Sequence, residues 1–190
     1  MSKVTLENRY MKNVIEPFAL STIAKSYDSN YGDYVSPIDT DNFDFLSVDG
    51  KRALEVSLVI SKNEKEAFEY DKAIAKGKTP SSKRVCESII KSDGSLSSYH
   101  GGTMSEIRTL IAEKIEEKHK KALRRTATKK YDSIDLCLCI VDGSLFDLYS
   151  LEISFSNLSE YVFENIFFIT PSYFIVFNSI NGYKEYERKI

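Results

Sequence analysis

The sequence predicts an α/β fold, a mixed central sheet flanked by helices, on three observations. Residues 43–60 alternate as a β-hairpin about Asp49-Gly50, residues 104–125 repeat their apolar side chains at helical spacing, and residues 133–141 (SIDLCLCIV) form a near-continuous apolar run of the kind a sheet buries on both faces. The coarse order along the chain is helix, hairpin, helix, long helix, strand, helix, strand, which places helices against a sheet. A chain of 190 residues, 42% hydrophobic and 28% charged, is long enough for one sizeable core and too short for two comfortable ones, so a single domain over residues 1–190 is expected.

Residues 5–27 carry helical spacing in Leu6, Tyr10, Val14, Ile15, Phe18, Ile23 and Ala24, with Pro17 as a kink or as a break between two short helices. Residues 28–42 are polar and turn-rich. The hairpin then closes on Asp49-Gly50, a two-residue turn signal in which both positions take positive φ. Counting back from that turn pairs Leu46 with Ala53, Phe45 with Leu54 and therefore Asp44 with Glu55; a four-residue loop keeps this pairing, whereas a three-residue loop parts the two acids. Alternation places Leu54, Val56, Leu58 and Ile60 with Phe43 and Phe45 on one face, the core, and Glu55, Ser57 and Val59 with Asp44 on the other.

Ser61-Lys62-Asn63-Glu64 reads as a capping box that opens a helix running to about Gly77. Residues 79–83 are a polar link, 85–90 a short apolar run, and 92–103 (SDGSLSSYHGGT) a Ser/Gly-rich loop. The long helix has Met104, Ile107, Ile111, Ile115 and Ala122 on its apolar stripe. After the buried strand, Asp142-Gly143 makes a stop, residues 157–165 suit a short helix, and residues 166–179 suit a strand or a pair of strands broken at Thr170-Pro171-Ser172.

Charge narrows the function classes. Lys+Arg number 26 against 28 Asp+Glu, a net charge of -2, so any affinity for nucleic acid rests on local patches. The densest basic cluster lies in and after the long helix: Lys114, Lys118, Lys120, Lys121, Arg124, Arg125, Lys129 and Lys130. Glu116 and Glu117 stand ready to pair with Lys120 and Lys121, but Arg124, Arg125, Lys129 and Lys130 lack acids at helical spacing and are the better phosphate candidates. No apolar stretch is long enough to span a bilayer and the first residues (MSKVTLENRY) hold no apolar signal core, so a cytoplasmic protein without a membrane partner is expected.

Cys137 and Cys139 point to one face of an apolar strand, with Cys86 far away, which suits buried thiols in a reducing compartment. His100, beside Gly101-Gly102, and His119, in the charged helix, read as surface histidines. No phosphate-cradling or dinucleotide glycine loop and no nucleophile elbow is present.

Asp44 and Glu55 remain as the chemistry-bearing pair. Like charges directly opposed on a sheet destabilise it unless neutralised, and a hard divalent ion such as Mg²⁺ is one remedy; a solvated sheet edge or pairing with nearby Lys and Arg is the other.

An N-terminal helix, a hairpin with an acid on its first strand and Glu-x-x on its second (Asp44; Glu55-Val56-Ser57), then a helix and a buried strand together resemble the PD-(D/E)XK nuclease superfamily over most of the chain. The resemblance implies a restriction-endonuclease-like fold and hydrolysis of phosphodiester bonds in nucleic acid. It implies Mg²⁺ or Mn²⁺ held by Asp44 and Glu55, with Glu7 on the first helix contributing directly or through water. Ser57 stands where this family usually has lysine, so the cation must come from elsewhere; Lys62, Lys65 and Lys72 on the following helix are available, and Lys65, in its first turn, is the preferred one. On such a protein Lys121, Arg124, Arg125, Lys129 and Lys130 would bind the nucleic-acid backbone. The other reading of the same residues is a catalytically inactive, nuclease-like binding module for a protein or nucleic-acid partner, with a role in defence or counter-defence compatible with the Lys-, Ile-, Ser- and Tyr-rich usage of the chain.

Overall fold

The computed structural model of the protein describes residues 11–38, 42–61, 103–141 and 148–189. Among them runs one mixed sheet of six strands, in spatial order β1 (Phe45–Leu46), β2 (Arg52–Val59), β3 (Ser133–Ile140), β4 (Asn165–Ile169), β5 (Phe174–Asn178) and β6 (Gly182–Tyr186). β2, β3 and β4 are parallel, while β1, β5 and β6 each run antiparallel to the strand before or after them. The helices α1 (Glu16–Ser26), α2 (Met104–Thr126) and α3 (Leu148–Ser154) complete the α/β fold.

The hairpin keeps the register read from its sequence, Phe45 opposite Leu54 and Leu46 opposite Ala53. Its turn differs. Only Gly50 takes positive φ, at 69°, because the chain reverses through a four-residue loop in which Gly50 N–H donates to the Ser47 carbonyl at 2.8 Å and Lys51 N–H to Asp49 Oδ1 at 3.1 Å. Phe43 also departs from the expected face. β1 contains only two residues, the chain bends at Asp44, and Phe43 turns to the face of Ala53 and Val59 rather than that of Phe45.

Both faces of the sheet are core, so the face that carries Glu55 is buried and not solvated. One face packs Ala53, Val59, Leu136, Leu138 and Phe168 under α2 and α3. The other packs Leu54, Val56, Cys137, Cys139 and Phe167 under α1 and the 3-10 turn Ser29–Asp33. β3 is buried at every position, as a central parallel strand requires, and Cys137 and Cys139 are free thiols on its α1 face.

α2 begins where Thr103 accepts the Glu106 N–H at 3.2 Å, and it buries Ile107, Ile111, Ile115 and Ala122 on the stripe expected of it. Each buried isoleucine contributes about 1.5–3 kcal/mol, which fixes the rotation of the helix and therefore which of its charged residues face the sheet. Pro17 lies in the first turn of α1, where it costs no hydrogen bond, and a π-helical turn, Met11–Ile15, leads into it.

Two further expectations are corrected. Residues 157–165 hold only the 3-10 turn Leu158–Glu160 before entering β4, and the short helix lies earlier as α3. His119 is half-buried, its Nδ1 accepting the Val162 N–H at 3.1 Å, so it ties α2 to the segment entering β4 instead of facing solvent. The break near Thr170 does separate two antiparallel strands, and β6 adds a third through a turn at Gly182, whose φ is 74°.

Candidate functional site

Glu55 is 2% exposed, and three cations from α2 converge on it. Lys118 Nζ and Lys121 Nζ each donate to Oε1 at 2.7 Å, and an Arg125 guanidinium N–H donates to Oε2 at 2.6 Å. Their spacing of three and four residues puts all three on one side of the helix, and the isoleucine stripe turns that side toward β2. Lys118 continues the stripe of Ile111, Ile115 and Ala122, a lysine in an apolar row. Arg125 is further fixed with its guanidinium over the Phe43 ring, 4.9 Å from the centroid, which accounts for the turned-in position of Phe43.

Asp44 comes to the same place from the sheet edge. Ser47 N–H donates to the Arg52 carbonyl, so the alternating pattern would next pair Val56 N–H with the Phe43 carbonyl; the Asp44 carboxylate takes that role, Oδ2 accepting from Val56 N–H at 2.8 Å. The side chain ends the β1–β2 ladder and lies within electrostatic reach of Glu55. Burial raises the Asp44 carboxyl above its ordinary value and Glu55 raises it further, against the pull of Val56 N–H, Lys118 and Lys121. For Glu55, burial works in the same direction, but Lys118 and Lys121 outweigh it and hold the carboxyl below its ordinary value. Of the pair, Glu55 is the settled anion and Asp44 the one that keeps a proton longer.

A third acid, Glu16, lies within electrostatic reach of them from the first turn of α1. It is 8% exposed, and burial, then the charges of Asp44 and Glu55, push its carboxyl up to about 7 against Lys12 and Lys118. The sequence held a signal for Glu16: it falls on the buried row of α1, three residues before Ala19 and seven before Ile23, where an acid is out of place unless it serves a site. Glu7 and Lys65, the other two residues expected in the catalytic set, lie outside the described residues, as do Lys62, Lys72 and His100. Ser57 is buried on β2, two residues beyond Glu55, where α2 brings in Lys118 and Lys121 as ion partners of Glu55.

Because the carboxyl of Glu16 rises to about 7, its proton stabilises the fold fully below its ordinary value near 4.5, and that contribution is lost as pH rises through 7. Glu16→Gln is therefore expected to gain stability on the wild type between pH 4.5 and 8, by about 1–2 kcal/mol after allowance for partial solvent screening. Urea unfolding of both proteins in EDTA at the two pH values measures this; parallel curves would mean that Glu16 does not titrate in that window.

The basic cluster divides in two. Lys121 and Arg125 are engaged with Glu55, although Arg125 had no acid near it in the sequence. Lys120 pairs with Glu116 as expected at 2.9 Å, but Glu117 pairs with Lys114 at 2.7 Å and not with Lys121. Arg124, Lys129 and Lys130 are exposed at the end of α2, with Lys129 Nζ over the Tyr131 ring at 4.9 Å and close to the Gly50 turn. They form a basic margin beside the hairpin.

The opposite face holds another buried acid, Asp135, with a different character. Burial lifts its carboxyl to about 6, against hydrogen bonds from Tyr31 Oη at 2.8 Å and from the Asn165 backbone and side chain at 3.1 and 2.9 Å. These bonds knit β3 and β4 to the 3-10 turn. Among the described residues nothing cationic is bonded to Asp135, and we read it as part of the core.

A hard divalent ion suits the donor set of Glu16, Asp44 and Glu55 in kind, all carboxylate oxygens. Asp44 Oδ1 and the Glu16 carboxylate have no hydrogen-bond donor among the described residues, and both carboxyls are raised, so negative charge there is under-compensated. Both oxygens of Glu55 are taken by cations, and as placed, no three His, Cys, Asp or Glu side chains among the described residues form a ready metal cluster. No family model, curated protein or solved structure matches the chain.

Proposed function

We propose that the protein hydrolyses phosphodiester bonds in nucleic acid with a divalent cation, as a nuclease of the PD-(D/E)XK kind with a restriction-endonuclease-like fold. The observation that carries this reading is the meeting of Asp44 and Glu55 at the open end of the β1–β2 ladder, with Glu16 within electrostatic reach of them and lysines of α2 bonded to Glu55. The order of α1, the β1–β2 hairpin, α2 and the buried β3 supports it.

Each residue has a distinct part. Asp44, Glu55 and Glu16 would hold Mg²⁺ or Mn²⁺, which when bound polarises a phosphate and lowers the pKa of an attacking water. Glu16, its carboxyl pushed up to about 7, is able to exchange a proton near neutral pH before a cation binds, and burial raises the Asp44 carboxyl as well. Lys118 and Lys121, both on Glu55 Oε1, would supply the positive charge beside the site that Ser57 cannot. Arg124, Lys129 and Lys130 would hold flanking phosphates along the end of α2.

The reading is tested by melting the wild type and Asp44→Asn with and without Mn²⁺. A metal at ten times its Kd stabilises by about 1.4 kcal/mol, a rise of about 3–6 °C for a domain of this size. The rise is expected in the wild type and not in Asp44→Asn, whose amide oxygen still accepts Val56 N–H and keeps the fold. An equal response in both proteins would remove Asp44 from the metal site, and no response in either would remove the metal.

One observation favours a second reading, the inactive binding module with a protein or nucleic-acid partner: Glu55 is already fully neutralised by protein cations. On that reading the ion cluster locks α2 to β2. No helix among the described residues is long and apolar enough to cross a membrane, so neither reading calls on one.

A further inference from the structure

The three cations on Glu55 are not equivalent. Lys118 and Arg125 side chains are 12% and 14% exposed, whereas Lys121 is 35% exposed. Among the described residues Arg125 is the one donor to Oε2, and it is held over Phe43, so its departure would strip that oxygen of this bond and break the ring contact. Lys118 and Lys121 share Oε1, each at 2.7 Å. If Lys121 leaves, Oε1 keeps Lys118, and the ammonium moves outward to water instead of into the core. Lysine, with three rotatable donors on a flexible stem, is suited to such an exchange.

We infer that Lys121 is the mobile cation of the site: it leaves Glu55 to contact a phosphodiester oxygen of the bound strand, while Lys118 and Arg125 stay as positioning residues. This rests on the nucleic-acid reading above and assigns the substrate contact within it. Moving Lys121 from carboxylate to phosphate gives the phosphate a cation while Glu55 keeps Lys118 and Arg125. It also joins the buried site to the basic margin of Arg124, Lys129 and Lys130, since Lys121 lies one turn before Arg124 and Arg125 on α2.

The test is fluorescence anisotropy of a labelled single-stranded oligothymidylate binding to the full chain in EDTA across a series of salt concentrations, with melting curves alongside. Each phosphate neutralised on a single strand contributes about 0.7 to the slope of log K against log salt. Lys121→Met is expected to reduce that slope by about 0.7, to weaken binding about tenfold at low salt, and to melt with the wild type. Lys120→Met, which removes one exposed charge paired with Glu116, is expected to keep the wild-type slope, and Lys118→Met to melt well below it.

A Lys121→Met slope equal to that of the wild type, or a melting loss as large as that of Lys118→Met, would overturn the assignment and leave Lys121 a structural partner of Glu55. Absence of salt-dependent binding by the wild type itself would overturn both this inference and the nucleic-acid reading beneath it, which separates the two failures.

Discussion

Glu55→Ala is expected to destabilise the protein by about 3–5 kcal/mol, the range seen when one partner of a buried ion cluster is removed. The carboxylate is 2% exposed and is the shared partner of Lys118, Lys121 and Arg125, so its loss takes from two largely buried cations the carboxylate they are bonded to. Lys121 can turn to solvent; Lys118 and Arg125 cannot do so without breaking the packing of α2. Urea unfolding measures the effect, and adding Lys118→Met to Glu55→Ala should recover part of it by removing one stranded charge. A loss below about 1 kcal/mol would place the cluster in the class of screened surface pairs.

The hairpin was legible because two independent constraints agree: the turn residues and the alternation of Leu54, Val56 and Leu58 admit the same register, and that register brings Asp44 to Glu55. What surrounds the pair was less legible. The three- and four-residue spacing of Lys118, Lys121 and Arg125 sets one helical side, but whether that side faces water or the sheet depends on how Ile107, Ile111 and Ile115 rotate α2 against β2, a tertiary fact. Glu16 shows the opposite case, a signal present and unused: an acid on a buried row reads as noise until the row has a neighbour. Phe43 was placed on the face opposite the one it occupies because alternation was carried past the end of a two-residue strand. α3 and β6 escaped notice for simpler reasons. α3 contains only seven residues, and β6 is an edge strand with a half-exposed pattern whose clearest mark is the Asn181-Gly182 turn.

Asp135 marks how easily a buried acid can mislead. By burial alone it outranks Asp44, yet its donors are a tyrosine hydroxyl and the amides of Asn165, which satisfy it without any cation and on the face away from α2. Asp44 differs in standing beside a second acid, at a place where the ladder ends and lysines gather. Competing charges held together beside a buried acid mark a candidate site, which burial alone does not.

The most direct test is cleavage itself: labelled single- and double-stranded DNA and RNA incubated with Mg²⁺ or Mn²⁺, comparing the wild type with Asp44→Asn at equal folded fraction. Asn keeps the hydrogen bond to Val56 N–H but cannot carry the charge that holds a cation, so the fold should stay while the rate falls by on the order of 10²–10³-fold, the scale for losing one electrostatic stabiliser. The account predicts metal-dependent cleavage of at least one substrate by the wild type, lost in EDTA and in Asp44→Asn. A wild type that cuts none of them with either metal, or an Asp44→Asn protein that cuts as fast, would contradict it and leave the ion cluster as the lock between α2 and β2.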